Sequence, residues 1–348
     1  MKILIIRVSA IGDVIHNLPA LFYLKNSMPN AKISWVVQEK AAGILEHQPF
    51  IETRYVLPDK FLQIKNWGRT KRIILELRKQ RWDAIIDFQG LSKTSFLLWW
   101  LRGPKFGFDR TNCREALSSY FTDHHVTPNY TNIIQKNLAL ASEALSHLIQ
   151  TNTCPTIDKL KQSLDLFVPS EKQKTVESWL NKNKLTRFIT LAPNTTWQSK
   201  HWPLEHWQEL VQLLSKANIT TILLGKEYGE AASQLANRIS QQNLPIHIAP
   251  KWDLPTTTYL LKKTTLLVAP DTGILHLADF LGTKAIGLFG PTLASRHGPF
   301  LTKKNITNTK QISCPHRYKK SHGTFDCMSN LTAEELFSCI QRDSSATI

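Results

Sequence analysis

A carboxylate follows the first apolar run of the chain and is the side chain best suited to acid–base chemistry. The run Lys2–Val8 leads into Ser9-Ala10-Ile11-Gly12-Asp13. Gly12 permits a tight turn and the close approach of a ligand to the backbone. Asp13 then lies near a helix start, where a helix-capping aspartate is common. The sequence leaves two interpretations open: a cap, or a general base that takes the proton of an attacking hydroxyl.

The motif Ala269–His276 has the composition of a diphosphate site. It follows a predicted strand and opens a predicted helix, so that backbone N–H groups, the Thr272 hydroxyl and Gly273 meet at one point. His276 lies one turn into this helix and can donate to the same anion. The competing interpretation makes Asp271 a helix N-cap and His276 an ordinary core or surface histidine.

Two further strand ends carry hydroxyls and charges. Thr195, Thr196 and Lys200 follow the strand that begins the second half of the chain, and they suit phosphate binding. A solvated polar loop is the alternative. A carboxylate after the next strand suits the hydroxyls of a ribose, but the sequence does not choose between Glu227 and Glu230.

The first half of the chain carries a dense basic stretch between positions 60 and 82. It holds eight basic residues against one acidic residue, Glu76: Lys60, Lys65, Arg69, Lys71, Arg72, Arg78, Lys79 and Arg81. Further basic residues follow, among them Lys93, Arg102, Arg110 and Arg114. Such a stretch is usually a solvated helix face, but the net charge of +16 makes an anion-binding face a fair alternative. The Trp99–Trp100 pair beside it has core spacing, yet such a pair can also meet a membrane interface.

One group of residues has metal-ligating chemistry: Cys314, His316, His322 and Cys327. Their spacing fits no common zinc pattern, and they lie in a predicted loop before the last helix. We therefore predict no bound metal. Five cysteines in 348 residues, an odd number, indicate reduced thiols and a cytosolic protein.

Near-continuous apolar runs predict the elements that position these motifs. The expected strands are Lys2–Val8, Ile33–Val37, Ala84–Phe88, Phe188–Ala192, Thr220–Leu224, Leu266–Ala269 and Ala285–Phe289. Runs of this kind are typical of parallel strands buried on both faces, and helical spacing between them favours a doubly wound α/β architecture. We predict an N-terminal Rossmann-like domain over 1–165, a C-terminal one over 166–330, and a helix and tail over 331–348 that packs back on the first domain. Ligands of such sheets bind at the carboxyl ends of the strands, which favours a central cleft between the domains.

The composition is that of an ordinary globular protein, with 42% hydrophobic and 20% charged residues. Arg7 interrupts the N-terminal apolar run too early for a signal peptide, and no later run is long enough to span a membrane. The positive charge favours an anionic partner. A nucleic-acid-binding protein is the alternative class, but no zinc-finger, RRM or helix-turn-helix signature is present, so we expect no nucleic acid partner.

Taken together, the motifs resemble those of the ADP-heptose:lipopolysaccharide heptosyltransferases, glycosyltransferases of the GT-B fold. The resemblance covers nearly the whole chain and rests on four segments: 9–20 (SAIGDVIHNLPA), 83–91 (DAIIDFQGL), 200–203 (KHWP) and 271–276 (DTGILH). Within the family, the first two segments and the segment 108–115 are most similar to the members that add the first heptose to Kdo.

This resemblance implies a cytoplasmic enzyme on the anionic inner face of the membrane. It would transfer L-glycero-D-manno-heptose from ADP-heptose to the Kdo of Kdo2-lipid A with inversion and without a cofactor. Another ADP-heptose transferase is the alternative. Asp13 matches the family's catalytic base. The donor residues implied are Thr195, Thr196, Lys200, Glu230, Trp252, Asp271, Thr272, Gly273 and His276, with Trp252 against the adenine. The first domain is expected to hold the acceptor through Ser9, Gly12, Arg69, Arg72, Lys93, Arg110 and Arg114.

Overall fold

Two compact α/β units make up the chain, Met1–Phe167 and Val168–Ile348. The structure is a computed structural model that describes residues 1–150, 160–301 and 326–344. Each unit is built on one parallel sheet, which confirms the predicted fold class. Over the described ranges, none of the helices has the length and apolar character that crossing a bilayer requires.

The sheet of the first unit has six parallel strands in the order β3-β2-β1-β4-β5-β6. Their bounds are β1 Lys2–Ile6, β2 Lys32–Gln38, β3 Thr53–Leu57, β4 Ala84–Asp87, β5 Lys105–Phe108 and β6 His124–Val126. In β1, Ile3 pairs with Ile33 on one side and Ala84 on the other. All of β1 beyond Lys2 is buried, as expected of an inner strand covered on both faces. The loops after β1, β4 and β5 therefore emerge side by side at the carboxyl edge of the sheet.

The α-helices bounded within the described part of the first unit are α1 Ile11–Ile15, α2 Leu18–Ser27, α3 Glu39–Ala42, α4 Trp67–Lys79, α5 Ser92–Trp100 and α6 Ile133–Ile149. The basic helix α4 buries one face, with Ile74 and Leu77 in the core beside Leu97 of α5. The opposite face of α4 carries the basic residues and is exposed, so the helix is amphipathic. Helix α6 contacts α2, and the Asn137 side chain donates to the His16 carbonyl at 3.0 Å.

The sheet of the second unit has five parallel strands in the order β11-β10-β7-β8-β9. Their bounds are β7 Ile189–Leu191, β8 Thr221–Leu223, β9 His247–Ile248, β10 Leu266–Pro270 and β11 Ala285–Leu288. The central strand β7 pairs with β10 through Leu191 and Val268 and with β8 through Leu191 and Leu223. The loops after β7, β8, β10 and β11 share one carboxyl edge.

The described helices of the second unit are α7 Ser170–Lys182, α8 Leu204–Lys216, α9 Glu230–Gln241, α10 Leu254–Lys263, α11 Gly273–Phe280, α12 Ala294–His297, α13 Asp326–Ser329 and α14 Ala333–Ser344. The sequence suggested that the last helix packs back on the first domain. In the structure, Leu336 and Ile340 of α14 lie in the core of the second unit beside Trp207 of α8. Residues at positions i and i+4 form one apolar stripe, and α8 supplies the partner that this stripe requires.

All seven strands predicted from apolar runs are present, each within two residues of its expected bounds. Four further strands were not predicted: β3, β5, β6 and β9. Strands β6 and β9 have three and two residues, and both are partly exposed, so neither has a buried apolar run. In β5 a glycine interrupts the short run, and β3 is only half-buried over most of its length.

Candidate active site

Asp13 lies in the first turn of α1, at the carboxyl end of the inner strand β1. Its Oδ2 accepts from the Ala10 amide at 3.1 Å, so the predicted capping contact exists. Its Oδ1 lies 2.8 Å from Nη2 of Arg7 and 2.7 Å from Nη2 of Arg114. The carboxylate is therefore both a cap and the centre of a charged cluster, and the capping interpretation does not exclude the chemical one.

The surroundings of Asp13 keep its carboxyl group ionised. Burial alone would raise its pKa, but the charges of Arg7 and Arg114, with a smaller contribution from His16, hold the pKa well below the ordinary value. The side chain still exposes 16% of its surface. Asp13 is thus a proton acceptor at any physiological pH, although its cationic neighbours weaken it as a base.

Arg7 is a site residue that the sequence analysis missed. It is 1% exposed and follows directly on β1. Its Nη1 donates to the Phe88 carbonyl after β4, and its own carbonyl accepts from the indole of Trp35 at 3.1 Å. A buried guanidinium requires a partner charge, which Asp13 supplies. The sequence does contain a signal for this role, because Arg7 is a charged residue directly after an otherwise apolar strand.

The loop after β4 is tied to the loop after β1 by a buried amide. Gln89 Oε1 accepts from the amides of Val8 and Ser9 at 3.0 and 3.2 Å. Asp87 in turn accepts from the Gln89 amide at 2.9 Å. Complete burial raises the pKa of Asp87 to about 6 despite these hydrogen bonds. This network fixes the backbone that carries Asp13.

Four of the predicted acceptor residues gather around Asp13. Ser9 precedes α1 and Gly12 is in its first turn, and Lys93 Nζ lies 3.4 Å from the Ser9 hydroxyl. Partial burial and the neighbouring Arg114 lower the pKa of Lys93. Because Arg114 binds Asp13 directly, the loops after β1, β4 and β5 all contribute to one cationic cluster.

The other three predicted acceptor residues are exposed, and none of the contacts that define this cluster involves them. Arg110 is in the loop after β5, next to the tight turn that Asp109 organises. Arg69 pairs with Glu39 at 2.6 Å, which joins the start of α4 to α3. Arg72 lies one turn further along α4. No contact described for these three arginines reaches Asp13.

In the second unit, Asp271 brings together two of the predicted donor residues. Lys200 Nζ lies 2.6 Å from Oδ2 of Asp271, and Nε2 of His276 lies 2.9 Å from Oδ1. Burial would raise the pKa of Asp271, but the hydrogen bond and charge of His276, followed by Lys200, lower it well below its ordinary value. The N-cap of α11 is Thr272, so the interpretation of Asp271 as the cap is wrong. Asp271 instead orients the lysine and the histidine.

Two buried hydroxyls lie at this same edge. Thr272 at the start of α11 and Thr292 after β11 have Oγ1 atoms with no hydrogen-bond partner within the described part of the chain. Gly273 is the first residue of α11, where the backbone amides point outward from the helix start. Unsatisfied buried donors beside a helix N-terminus are the chemistry that binds a phosphate group.

Thr195 and Thr196 differ in their hydrogen bonding and exposure. The Thr195 hydroxyl donates to the Trp197 carbonyl at 2.7 Å and so supports its own loop. Thr196 is exposed. Asn194, which the sequence analysis did not single out, joins two loops: its side chain donates to the Gly225 carbonyl at 2.7 Å and accepts from the Ala232 amide at 2.9 Å.

Neither ribose candidate is distinguished by its contacts. Glu230 is the first residue of α9, is exposed, and accepts from Gln234 at 2.8 Å. Glu227 is also exposed, in the short turn before α9. Trp252, predicted against the adenine, is buried and packs edge-on against Trp179 at 5.3 Å. The exposed ring beside it is that of Tyr228, whose hydroxyl donates to the Trp252 carbonyl.

The described ranges contain no group of three or more residues able to hold a metal ion. Of the four residues considered as a zinc set, Cys314, His316 and His322 lie outside those ranges. The prediction of no bound metal therefore stays a prediction.

Comparisons with known proteins agree on one family. Residues 70–324 match the model of glycosyltransferase family 9 (heptosyltransferase). Lipopolysaccharide heptosyltransferase 1 of Campylobacter coli is 33% identical over 330 residues, which cover 90% of this chain and 92% of that protein. The enzyme of the same name from Escherichia coli K12 is 29% identical and covers 84% of this chain and 88% of that protein. The solved structure of E. coli heptosyltransferase WaaC with ADP shares the fold, with a TM-score of 0.78 at 24% identity over 99% of this chain and 100% of that one.

Proposed function

Since this chain belongs to glycosyltransferase family 9, the heptosyltransferases, we propose that it moves L-glycero-D-manno-heptose from ADP-heptose to the Kdo of Kdo2-lipid A, with inversion. The observation that carries this proposal is Asp13: an ionised carboxylate, clamped by two arginines at the carboxyl edge of a parallel sheet. The relatives from Campylobacter coli and Escherichia coli are lipopolysaccharide heptosyltransferases, and the solved structure of the E. coli enzyme WaaC contains ADP.

The proposed reaction is a single displacement. The acceptor oxygen attacks the anomeric carbon while Asp13 takes the hydroxyl proton. The bond from the anomeric carbon to the diphosphate oxygen breaks, and its electron pair leaves with ADP. Inversion follows because the attack and the departure occur on opposite faces of the sugar. This chemistry requires only a base, charge stabilisation for the leaving group and an oriented acceptor.

The carboxyl edge of the second unit is suited to hold the donor. Lys200 and His276, both fixed by Asp271, supply donors for the diphosphate. The hydroxyls of Thr272 and Thr292 and the start of α11 add neutral donors. Negative charge grows on the diphosphate as its bond to the anomeric carbon breaks. Hydrogen-bond donors that are already oriented toward it therefore lower the activation free energy of transfer, in addition to tightening the binding of the sugar nucleotide.

We further propose that the protein acts at the anionic inner face of the membrane. An aromatic surface lies beside basic residues in the first unit: Trp67 contacts Phe96 at 5.9 Å, and Phe96 contacts Trp100 at 6.4 Å. The Arg78 guanidinium lies over Trp100, and Trp99 is 74% exposed. Aromatic rings flanked by cations suit a lipid interface, and the acceptor is itself lipid-linked.

The direct test is ADP release from ADP-heptose with three acceptors: Kdo2-lipid A, the same lipid already carrying one heptose, and no acceptor. We expect release with Kdo2-lipid A and little in the other two reactions. Release with the heptosylated lipid alone would identify a later heptose transfer instead. Absence of release with either acceptor would contradict the proposed function.

A further inference from the structure

Two guanidinium groups bind the same oxygen of the proposed base. Arg7 and Arg114 each place Nη2 within 2.8 Å of Asp13 Oδ1, while Oδ2 accepts one bond from the Ala10 amide. A carboxylate has about four lone-pair sites, two on each oxygen. Both arginines lie on the Oδ1 side of the carboxylate, Arg7 as an ion pair and Arg114 with a hydrogen bond, so Oδ2 keeps one site for the hydroxyl that must be deprotonated.

Apart from this shared contact, the two arginines differ in burial and in their other partners. The side chain of Arg7 is 2% exposed, and it is also held by the Phe88 carbonyl. The side chain of Arg114 is 39% exposed, and within the described residues Asp13 is the one hydrogen-bond or ion-pair partner recorded for its guanidinium. It extends from the irregular loop between β5 and the short helical segment Ala116–Phe121. Arg7 is therefore a fixed part of the base, and Arg114 is a partner that can leave.

The local charge favours such a departure when an anion arrives. Arg7, Arg114 and Lys93 surround Asp13. Glu115, the residue after Arg114, accepts from the amide and hydroxyl of Ser92. Of the three cations, Arg114 is the one that both contacts Asp13 and is accessible, so an incoming anion can compete with Asp13 for it.

We propose that Arg114 exchanges Asp13 for an anionic group of the acceptor, so that Asp13 becomes a stronger base only when the acceptor is present. This inference rests on the proposed function. Losing one of two adjacent cations increases the proton affinity of a carboxylate. In the absence of acceptor, the paired Arg114 keeps Asp13 too weak to activate water, and the bound sugar nucleotide is protected from hydrolysis.

The side reaction that Arg114 suppresses is hydrolysis of the sugar nucleotide. A water oxygen bonds to the anomeric carbon, the water proton goes to Asp13 Oδ2, and the carbon–oxygen bond to the diphosphate breaks with its electron pair on ADP. The products are free heptose and ADP. This step requires no co-reactant except water, and it needs the same base as the transfer.

The test is the release of ADP from ADP-heptose without acceptor, measured for wild type, Arg114→Gln and Arg114→Lys. A single adjacent opposite charge lowers a carboxyl pKa by roughly 1–3, so we expect hydrolysis by Arg114→Gln to rise about tenfold. Arg114→Lys keeps a positive charge and should stay near wild type. The double variant Asp13→Asn, Arg114→Gln should lose the gain, because the released base is then absent.

Two controls guard against a general effect of surface charge and against misfolding. Arg102→Gln makes the same charge change at an exposed position before β5 and should alter nothing. Calorimetric binding of ADP by Arg114→Gln checks that the variant is folded. If Arg114→Gln binds ADP normally and raises the acceptor KM but hydrolyses the donor no faster than wild type, Arg114 is only an acceptor anchor and the proposal is wrong. Transfer by the wild type in the same assay shows separately whether the proposed function holds.

Discussion

At the scale of single residues, Asp13 shows how one side chain can serve structure and chemistry together. It caps the first turn of α1 through one oxygen and holds two arginines through the other. A cap alone would not need a buried guanidinium at the end of the adjoining strand. The same pairing that keeps Asp13 charged reduces its strength as a base, so its activity depends on what its partners do.

Replacing Asp13 with asparagine removes the proton acceptor and conserves the shape of the side chain. We expect kcat to fall by roughly 10²–10⁴-fold, because general-base catalysis typically contributes that much. ADP affinity should stay unchanged, since the residues proposed to hold the donor are in the other unit. Steady-state transfer assays and calorimetry measure the two quantities. An asparagine variant with a near-normal kcat would remove Asp13 from the role of base.

Lys200 is the donor residue with the clearest geometry, because Asp271 holds its ammonium at 2.6 Å. Lys200→Ala should weaken ADP binding by roughly 10–100-fold, the value of one charge-assisted hydrogen bond. It should also lower kcat, because leaving-group charge grows in the transition state. Lys216→Ala, at the exposed end of α8, is the matched control. Unchanged ADP affinity together with an unchanged rate would exclude Lys200 from the site.

At the scale of elements, the last residue of β4, Asp87, is a buried carboxyl group whose ionisation affects the free energy of unfolding. Burial raises the pKa of Asp87 to about 6, above its ordinary value of 3.8, so the folded state binds this proton more tightly than the unfolded state. The contribution of Asp87 to stability is therefore greatest below the ordinary pKa and is lost as the pH rises toward 6.

Asp87→Asn should remove this pH dependence. Urea unfolding at several pH values between about 4 and 7 should give a wild-type free energy of unfolding that loses up to about 3 kcal/mol relative to the variant across this range. Asparagine retains an oxygen for the Gln89 amide, so the loop can keep its hydrogen bond. Parallel pH profiles for the two proteins would mean that Asp87 has an ordinary pKa in the folded state.

The sequence predicted elements more reliably than the contacts between them. Inner strands such as β1, β4 and β10 have continuous apolar runs, because helices cover both faces of the sheet, and each was predicted nearly in full. The edge strands β6 and β9 lack this signal. Helix α14 was predicted as a helix, but its packing against α8 was not, because an apolar stripe specifies burial and not the surface that buries it.

Residues of the candidate site could be predicted where a charged or hydroxyl side chain follows a recognisable strand. Asp13, Lys200 and the motif that begins at Asp271 all meet this condition. The clamp on Asp13 was not predictable, because Arg114 is 101 residues away and reaches it from the loop after β5. The family resemblance placed Trp252 against the adenine, but its burial against Trp179 depends on packing that a local pattern does not contain.

At the scale of the whole molecule, the net charge of +16 is the most unusual bulk property. Part of the charge lies on α4, whose exposed face carries Arg69, Lys71 and Arg72 beside the aromatic surface of Trp67 and Trp100. The proposed acceptor carries carboxylates and phosphates on a lipid. A basic face on the unit expected to hold that acceptor is consistent with recognition at a charged surface.

Neutralising Arg69, Lys71 and Arg72 together with glutamine should weaken binding to anionic vesicles. Each cation near such a surface contributes about 1 kcal/mol, and the effect declines with salt. Co-sedimentation with phosphatidylglycerol vesicles at low and high salt measures the loss, and the acceptor KM should rise while the donor KM stays constant. The matched control changes Lys174, Lys182 and Lys184 on or just after α7 to glutamine. If both triple variants sediment like wild type, the α4 cluster is a solvated face.

The measurement that tests the central claim most directly is acceptor-dependent release of ADP from ADP-heptose by the unmodified protein. The reaction should depend on Kdo2-lipid A, give a product of inverted anomeric configuration by NMR, and fall at least roughly 100-fold in Asp13→Asn. Equal ADP release by wild type and Asp13→Asn, or a product of retained configuration, would contradict a direct displacement with Asp13 as the base.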